Sequence, residues 1–354
     1  MQLRFKRGKA DELETLHPAY FALVMATGIV ALAADLHSVP LVPIALFWLN
    51  AFFFAALVVA TVARLLRYPD AFVADVRSHS RGVGFFTIAA AAGVFGNQLV
   101  LQMGTIGVAM IFWAVTGLLW LVATYGVLAV LTVQLDKPSL ATSLNGGWLV
   151  WVVAAQSLSI LTVLILPSGV SADLQQPLMF AALTLWLSGG AQYLWMITLI
   201  FFRCTFLSMS PEDLTPPYWI NMGAAAISAL AGATLLEHST LSPIVIDVAP
   251  FIKGFTLAYW AIGSAWIPML LLLGIWRYLI RHVPLTYGPL YWGGVFPLGM
   301  YSVCTFHLAK ILGTSFLLPL SGGFMIVAIF AWGVTFAGLI DSRLRPTPRA
   351  PSSK

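Results

Sequence analysis

The polar groups that fall within or beside apolar stretches of this sequence are few, and their types narrow the chemistry open to it. His307 and Lys310 are three residues apart, a spacing that sets both on one helix face. With Lys253 they form a basic set able to attract an anion. The alternative for each lysine is snorkelling, with its stem in lipid and its ammonium in water. Pro297 interrupts an apolar run and removes a backbone donor in mid-helix. It is either a tolerated kink or a break whose freed N–H groups stabilise a passing anion. Asn97, Gln98, Gln156, Gln192 and Asn221 have the character of interhelical hydrogen-bond glue. Asp35 lies at the end of a run, and no carboxylate stands in the middle of one. That pattern disfavours a proton pump, a carrier driven by its own carboxylate, or a cation pathway with acidic rings.

Enzymatic grammar is missing. His17, His37, His79, His238, His282 and His307 are scattered singly and show no ligand spacing. There is no glycine-rich phosphate loop and no serine elbow. The reading is therefore a non-enzyme without metal or cofactor, with an intramembrane enzyme or a structural membrane protein as alternatives from other classes. Cys204 and Cys304 occupy different apolar runs, toward opposite faces, so no disulfide is expected.

The elements that must position these groups follow from composition. Hydrophobic residues make up 60% of the chain and charged ones 9%, against roughly 25% charged in a soluble domain. A helix needs about 20 apolar residues to cross a bilayer, and most of the chain consists of such runs. They predict ten spans near 18–36, 41–63, 82–101, 105–133, 147–166, 177–202, 217–236, 250–276, 287–309 and 319–340. With the N-terminus in the cytoplasm, sixteen of the eighteen Lys and Arg residues fall inside, and only Lys253 and Lys310 fall outside. Both termini are expected in the cytoplasm of a multi-pass cell (inner) membrane protein. The expected division is a cytoplasmic segment 1–17, a ten-helix domain 18–340 and a disordered cytoplasmic tail 341–354. The basic residues flank apolar runs and do not gather with aromatics on one face, so the partner is the lipid bilayer and not nucleic acid.

Short outward connections make the up-and-down hairpin the unit, repeated five times. The odd spans share a Pro or aromatic residue near their start followed by small residues: Pro18, Phe21, Thr27 and Gly28; Phe85, Phe86 and Gly93; Pro217, Trp219, Gly223 and Gly232; Tyr291, Trp292, Pro297 and Gly299. Small residues serve close helix packing. On alternating helices at one depth they also leave room for a central passage.

Several segments resemble the tellurite-resistance and dicarboxylate transporter family, which includes plant slow anion channels, fungal malate permeases and sulphite efflux proteins. They are Tyr20 to Gly28, Trp260-Ala261-Ile262, Trp266-Ile267-Pro268, and Trp292 with Val295-Phe296-Pro297-Leu298-Gly299. The resemblance implies an all-α quasi-fivefold bundle of five hairpins with odd helices lining a central pore, commonly assembled as trimers. It also implies that Phe296, just before Pro297, plugs the pore. Counting to that depth expects Thr27, Gly28, Ala90, Gln156 and Ala225 at the lining, with Lys253, His307 and Lys310 as an outer anion vestibule. The implied function is transport of small anions, such as malate-like dicarboxylates or sulphite-like ions, or electrodiffusion of chloride or nitrate. Tellurite itself is not predicted.

Overall fold

The structure, a computed structural model, describes residues 12–344 and contains no strand among them. Ten helical spans are long and apolar enough to cross a membrane: Pro18–Leu36, Val42–Arg67, Gly82–Leu101, Ile106–Val133, Gly146–Gly169, Ala172–Phe206, Pro216–Glu237, Ala249–Ile280, Pro289–Leu312 and Ser315–Leu344. They are called spans 1 to 10 in that order. The expected spans match these in number and place. Span 10 takes in the first four residues of the expected tail 341–354. Arg4, Lys6, Arg7, Lys9, Arg345, Arg349 and Lys354, which carry part of the orientation argument, lie outside the described residues, as does the rest of the tail.

Burial divides the spans into two classes. Over an 18-residue apolar stretch of each, odd spans bury 67–89% of residues, whereas even spans bury 11–33%. The even spans carry the exposed large apolar side chains, among them Trp48, Phe52, Ile111, Leu118, Trp195, Phe202, Leu272 and Phe330. An apolar exterior of that kind suits hydrocarbon and not water. Each odd span packs against the even span that follows it and against two other odd spans, in the order 1, 3, 5, 7, 9 and back to 1.

Small residues allow the close approaches between odd spans. A Cβ at Gly223 would lie 2.7 Å from Cγ of Pro297, and one at Gly299 would lie 2.9 Å from Cγ2 of Ile29. The small-residue pattern is thus used for packing on both sides of span 9.

Two hydrogen-bond devices recur from hairpin to hairpin. In the first, an even span donates to the following odd span. Asn50 Nδ2 donates to Gln98 Oε1 (2.6 Å), Trp113 to Thr162 Oγ1 (2.9 Å), Trp186 to the Ser228 carbonyl (2.9 Å), Trp260 to Thr305 Oγ1 (2.9 Å) and Trp332 to Thr27 Oγ1 (2.9 Å). The last bond ties span 10 to span 1. In lipid an unpaired donor costs several kcal/mol (about 4–8 on a cyclohexane scale), so these indoles need such acceptors.

In the second device, the far end of an even span holds the backbone leading into its own hairpin. Arg64 Nε donates to the Glu14 carbonyl (3.1 Å), Gln134 to that of Arg77 (2.8 Å), Arg203 to that of Ala141 (2.7 Å), and Arg277 to those of Pro211 (2.8 Å) and Leu214. These four segments lead into the 3-10 turns Pro18–Phe21, Gly82–Phe85, Gly146–Leu149 and Pro216–Trp219 that open odd spans, and a fifth such turn, Pro289–Tyr291, opens span 9. Pro early in such a turn supplies the required φ and lacks a donor that would be orphaned there anyway. Gly146 has a different reason, since a methyl group there would collide with the Pro217 carbonyl.

Candidate functional site: two cavities meeting at span 9

Two cavities lie between the odd spans, and each draws residues from all five. The first, about 260 Å³, sits where the odd spans begin and is lined by Ala22 and Met25 of span 1, Thr87 of span 3, Val150 of span 5, Ile220 of span 7, and Gly293 and Phe296 of span 9. The second, about 330 Å³, sits where they end. It is lined by Ile29, Leu32, Val94, Asn97, Ile160, Leu164, Ile227, Leu230, Met300 and Val303, with a polar rim. On each helix the lining residues recur three or four apart, as a single helical face must.

Span 9 passes from one cavity to the other in about one turn, because Phe296 lines the first and Met300 the second. Phe296 is 1% exposed. Pro297 follows it inside the helix, where it removes the N–H that would bond the Gly293 carbonyl. Its ring packs toward Gly223 of span 7.

The other expected residues are placed as follows. Ala90 is fully buried, three residues after Thr87 and four before Val94, and so shares the face that lines both cavities. The hydroxyl of Thr27 accepts from Trp332, toward span 10. Gly28 faces Val94 and Gln98 of span 3 and Asn50 of span 2. Gln156 Nε2 donates to the Trp186 carbonyl of span 6 (3.1 Å), and Ala225 lies against Gly263 of span 8. None of these four lines either cavity. Gln98 and Gln156 make interhelical hydrogen bonds, the role expected of them.

The first cavity also takes in His17 and Arg81. Asp75 receives Arg81 through both carboxylate oxygens (2.5 and 3.0 Å) and Arg64 at 2.8 Å. Two guanidinium groups share one carboxylate, which leaves one net positive charge. Burial, reinforced by the neighbouring guanidinium of Arg81, holds the His17 imidazole down at about 4. His17 Nδ1 therefore accepts from the Ala19 N–H (3.0 Å) as a neutral ring. Five helix starts converge on this cavity, each contributing the positive end of a backbone dipole.

The rim of the second cavity holds Asp35, Glu237, His238, His307 and Lys310. Glu237, the last residue of span 7, meets His307 Nδ1 at 3.0 Å and Lys310 Nζ at 3.2 Å. The structure thus brings His307 and Lys310 together, and adds a carboxylate that sequence reasoning did not single out. Lys253 is exposed on span 8 and lines neither cavity. No group of three metal-binding side chains occurs among the described residues.

Glu237 was legible in one respect, since it falls one position beyond the expected span 7, where a carboxylate at the rim faces His307 and Lys310 of span 9. The cavity-facing stripe of Met25, Ile29, Ile160, Ile227 and Met300 had no such signal. Every face of an inner helix is apolar, so no polarity contrast marks the one that faces a void.

Comparison with known proteins places the chain among membrane transport proteins. Two uncharacterised transporters of Methanocaldococcus jannaschii are similar to the chain over nearly all of both lengths. One is 26% identical over 339 residues, covering 92% of this chain and 93% of the relative. The other is 24% identical over 340 residues, covering 93% and 95%. An uncharacterised membrane protein of Mycobacterium tuberculosis is 35% identical over 143 residues, which is 40% of this chain and 72% of that protein. Residues 15–340 match the voltage-dependent anion channel (SLAC1) family. A match over that share of the chain makes it a member of the voltage-dependent anion channel family, a multi-pass membrane protein of anion transport.

Proposed function

We propose that the chain passes small anions along the axis between its odd spans, with Phe296 as the constriction. The observation that carries this reading is the pair of cavities, each built by all five odd spans and separated by about one turn of span 9 at Phe296 and Met300. The packing order of the odd spans is then a ring around the passage, and five hairpins form a quasi-fivefold bundle. At the constriction the passage is flanked by Ala90, and by Ser157 and Ala224 where the lining faces of spans 5 and 7 continue between Val150 and Ile160 and between Ile220 and Ile227.

The end carrying Arg64, Arg81, Arg203 and Arg277 faces the cytoplasm, because cytoplasmic segments collect Lys and Arg. Both termini then lie on the cytoplasmic side of a cell membrane. A homotrimer is carried over from the family resemblance alone. Anion transport needs no carboxylate at mid-membrane, and an apolar neck between a positive mouth and a polar rim suits an anion that sheds water briefly. Small monovalent ions such as chloride and nitrate, sulphite-like ions and four-carbon dicarboxylates are the substrate class.

The experiment is purified protein in planar bilayers with chloride, nitrate, sulphite and malate compared under a set voltage. Anion-selective current that rises in Phe296→Ala supports the reading. Equal, background-level permeability in wild type and variant overturns it.

A further inference from the structure

We propose that Glu237 is a built-in competitor for permeating anions, and that it sets their valence preference at the second cavity. The inference rests on the anion-passage reading above. The Glu237 carboxylate is held by His307 Nδ1 (3.0 and 3.1 Å) and Lys310 Nζ (3.2 Å), two donors that line the cavity with it. An anion arriving at this rim meets those donors already occupied by a carboxylate tethered to span 7. To bind there it must displace Glu237 or bind beyond it.

The charge balance points the same way. The polar groups that line the cavity with Glu237 are Asp35 from span 1, Asn97 from span 3, Thr234 and His238 from span 7 and its end, and His307 and Lys310 from span 9. At this rim two carboxylates, Asp35 and Glu237, stand beside the ammonium of Lys310, so Glu237 offsets the positive potential that an arriving anion would otherwise meet. Glu237 has little freedom to leave, being only 14% exposed at its side chain, whereas the Lys310 side chain is 66% exposed and can follow an anion. The Glu237 carboxylate repels a dianion about twice as strongly as a monoanion. The cluster therefore favours chloride-like or singly charged acid species, and a dicarboxylate passes more readily once one carboxyl group is protonated.

Removing the charge of Glu237 frees both donors. The test compares unitary currents and reversal potentials for wild type, Glu237→Gln, Lys310→Gln and Phe296→Ala in bilayers, with chloride on one side and malate on the other at fixed pH. Glu237→Gln is expected to raise chloride current about threefold at low salt, with the gain fading at 1 M where charges beyond about 3 Å are screened. It is also expected to raise the malate-to-chloride permeability ratio. Lys310→Gln is expected to lower both, and this carries the test if Glu237→Gln fails to insert. Unchanged currents and ratios in Glu237→Gln and Lys310→Gln, beside a leaky Phe296→Ala, overturn the role of Glu237 and leave the passage intact. Absence of anion current in all four proteins overturns the passage reading itself.

Discussion

At the scale of single residues, Phe296 and His17 make separable predictions. An aromatic ring that fills a passage contributes mainly volume, whereas a ring packed into a helix wall contributes stability. Phe296→Ala in the first case folds normally and conducts more. In the second it leaves a cavity costing about 3–5 kcal/mol and conducts no more than wild type. Paired measurements of conductance and thermal unfolding in detergent separate the two, and raised conductance at unchanged stability is the expected result. His17 concerns pH. Its folded value of about 4 lies below the ordinary 6.5, so between those values the unfolded chain holds a proton that the folded one does not. Stability should be complete above pH 6.5 and decline as pH falls toward 4. His17→Gln should flatten the melting temperature over that window, and an equal slope in both proteins would remove His17 as the cause.

At the scale of helices, the number and limits of the spans were legible because bilayer thickness imposes a length on any apolar helix. Span 3 was expected at 82–101 and is found at Gly82–Leu101. Direction around a helix was not legible in that way. Thr27 was placed at the level of Phe296, and its hydroxyl turns to Trp332. Gln156 was placed there too, and its amide turns to span 6. A helix buried on all sides by apolar neighbours has no polar face to betray its orientation. What decides it is the partner's chemistry: an indole on span 10 needs an acceptor, and Thr27 is the one it meets. That bond also makes a prediction about the assembly of the hairpins. Trp332→Phe keeps most of the ring volume and deletes the donor that joins span 10 to span 1. It should lower stability by about 0.6–1.7 kcal/mol, the range for interhelical hydrogen bonds in membranes. The double variant with Thr27→Val should cost no more than the single one, because both remove the same bond. Strict additivity in a double-mutant cycle would show that the indole is held by packing alone.

At the scale of the whole molecule, charge is distributed unequally between the two mouths, and that asymmetry is open to electrical measurement. The mouth at the start of the odd spans has Arg64 and Arg81 sharing Asp75, together with five converging helix starts whose dipoles add positive potential. The opposite rim has Lys310 and His307 engaged by Glu237, with Asp35 unopposed by a second lysine because Lys253 stands elsewhere. A positive mouth raises the local concentration of anions, and a channel-like passage draws its current from whichever mouth supplies ions faster. With the positive mouth in the cytoplasm, a given driving force should move more anions outward than inward. This rectification depends on exposed charge, so it should be strong at 0.01 M salt, where screening extends over about 30 Å, and nearly vanish at 1 M, where it is about 3 Å. Arg81→Gln should weaken it by removing the more exposed guanidinium, whose side chain is 32% accessible, while the deeply buried Arg64 keeps Asp75 paired. Glu237→Gln should weaken it from the other side by making the outer rim less negative. Bilayers containing protein of one orientation, fixed by a protease-accessible tag after Lys354, provide the measurement. A current–voltage curve that is straight at low salt, or one that bends the opposite way with the tag on the cytoplasmic side, would overturn the assignment of the positive mouth as the source of efflux.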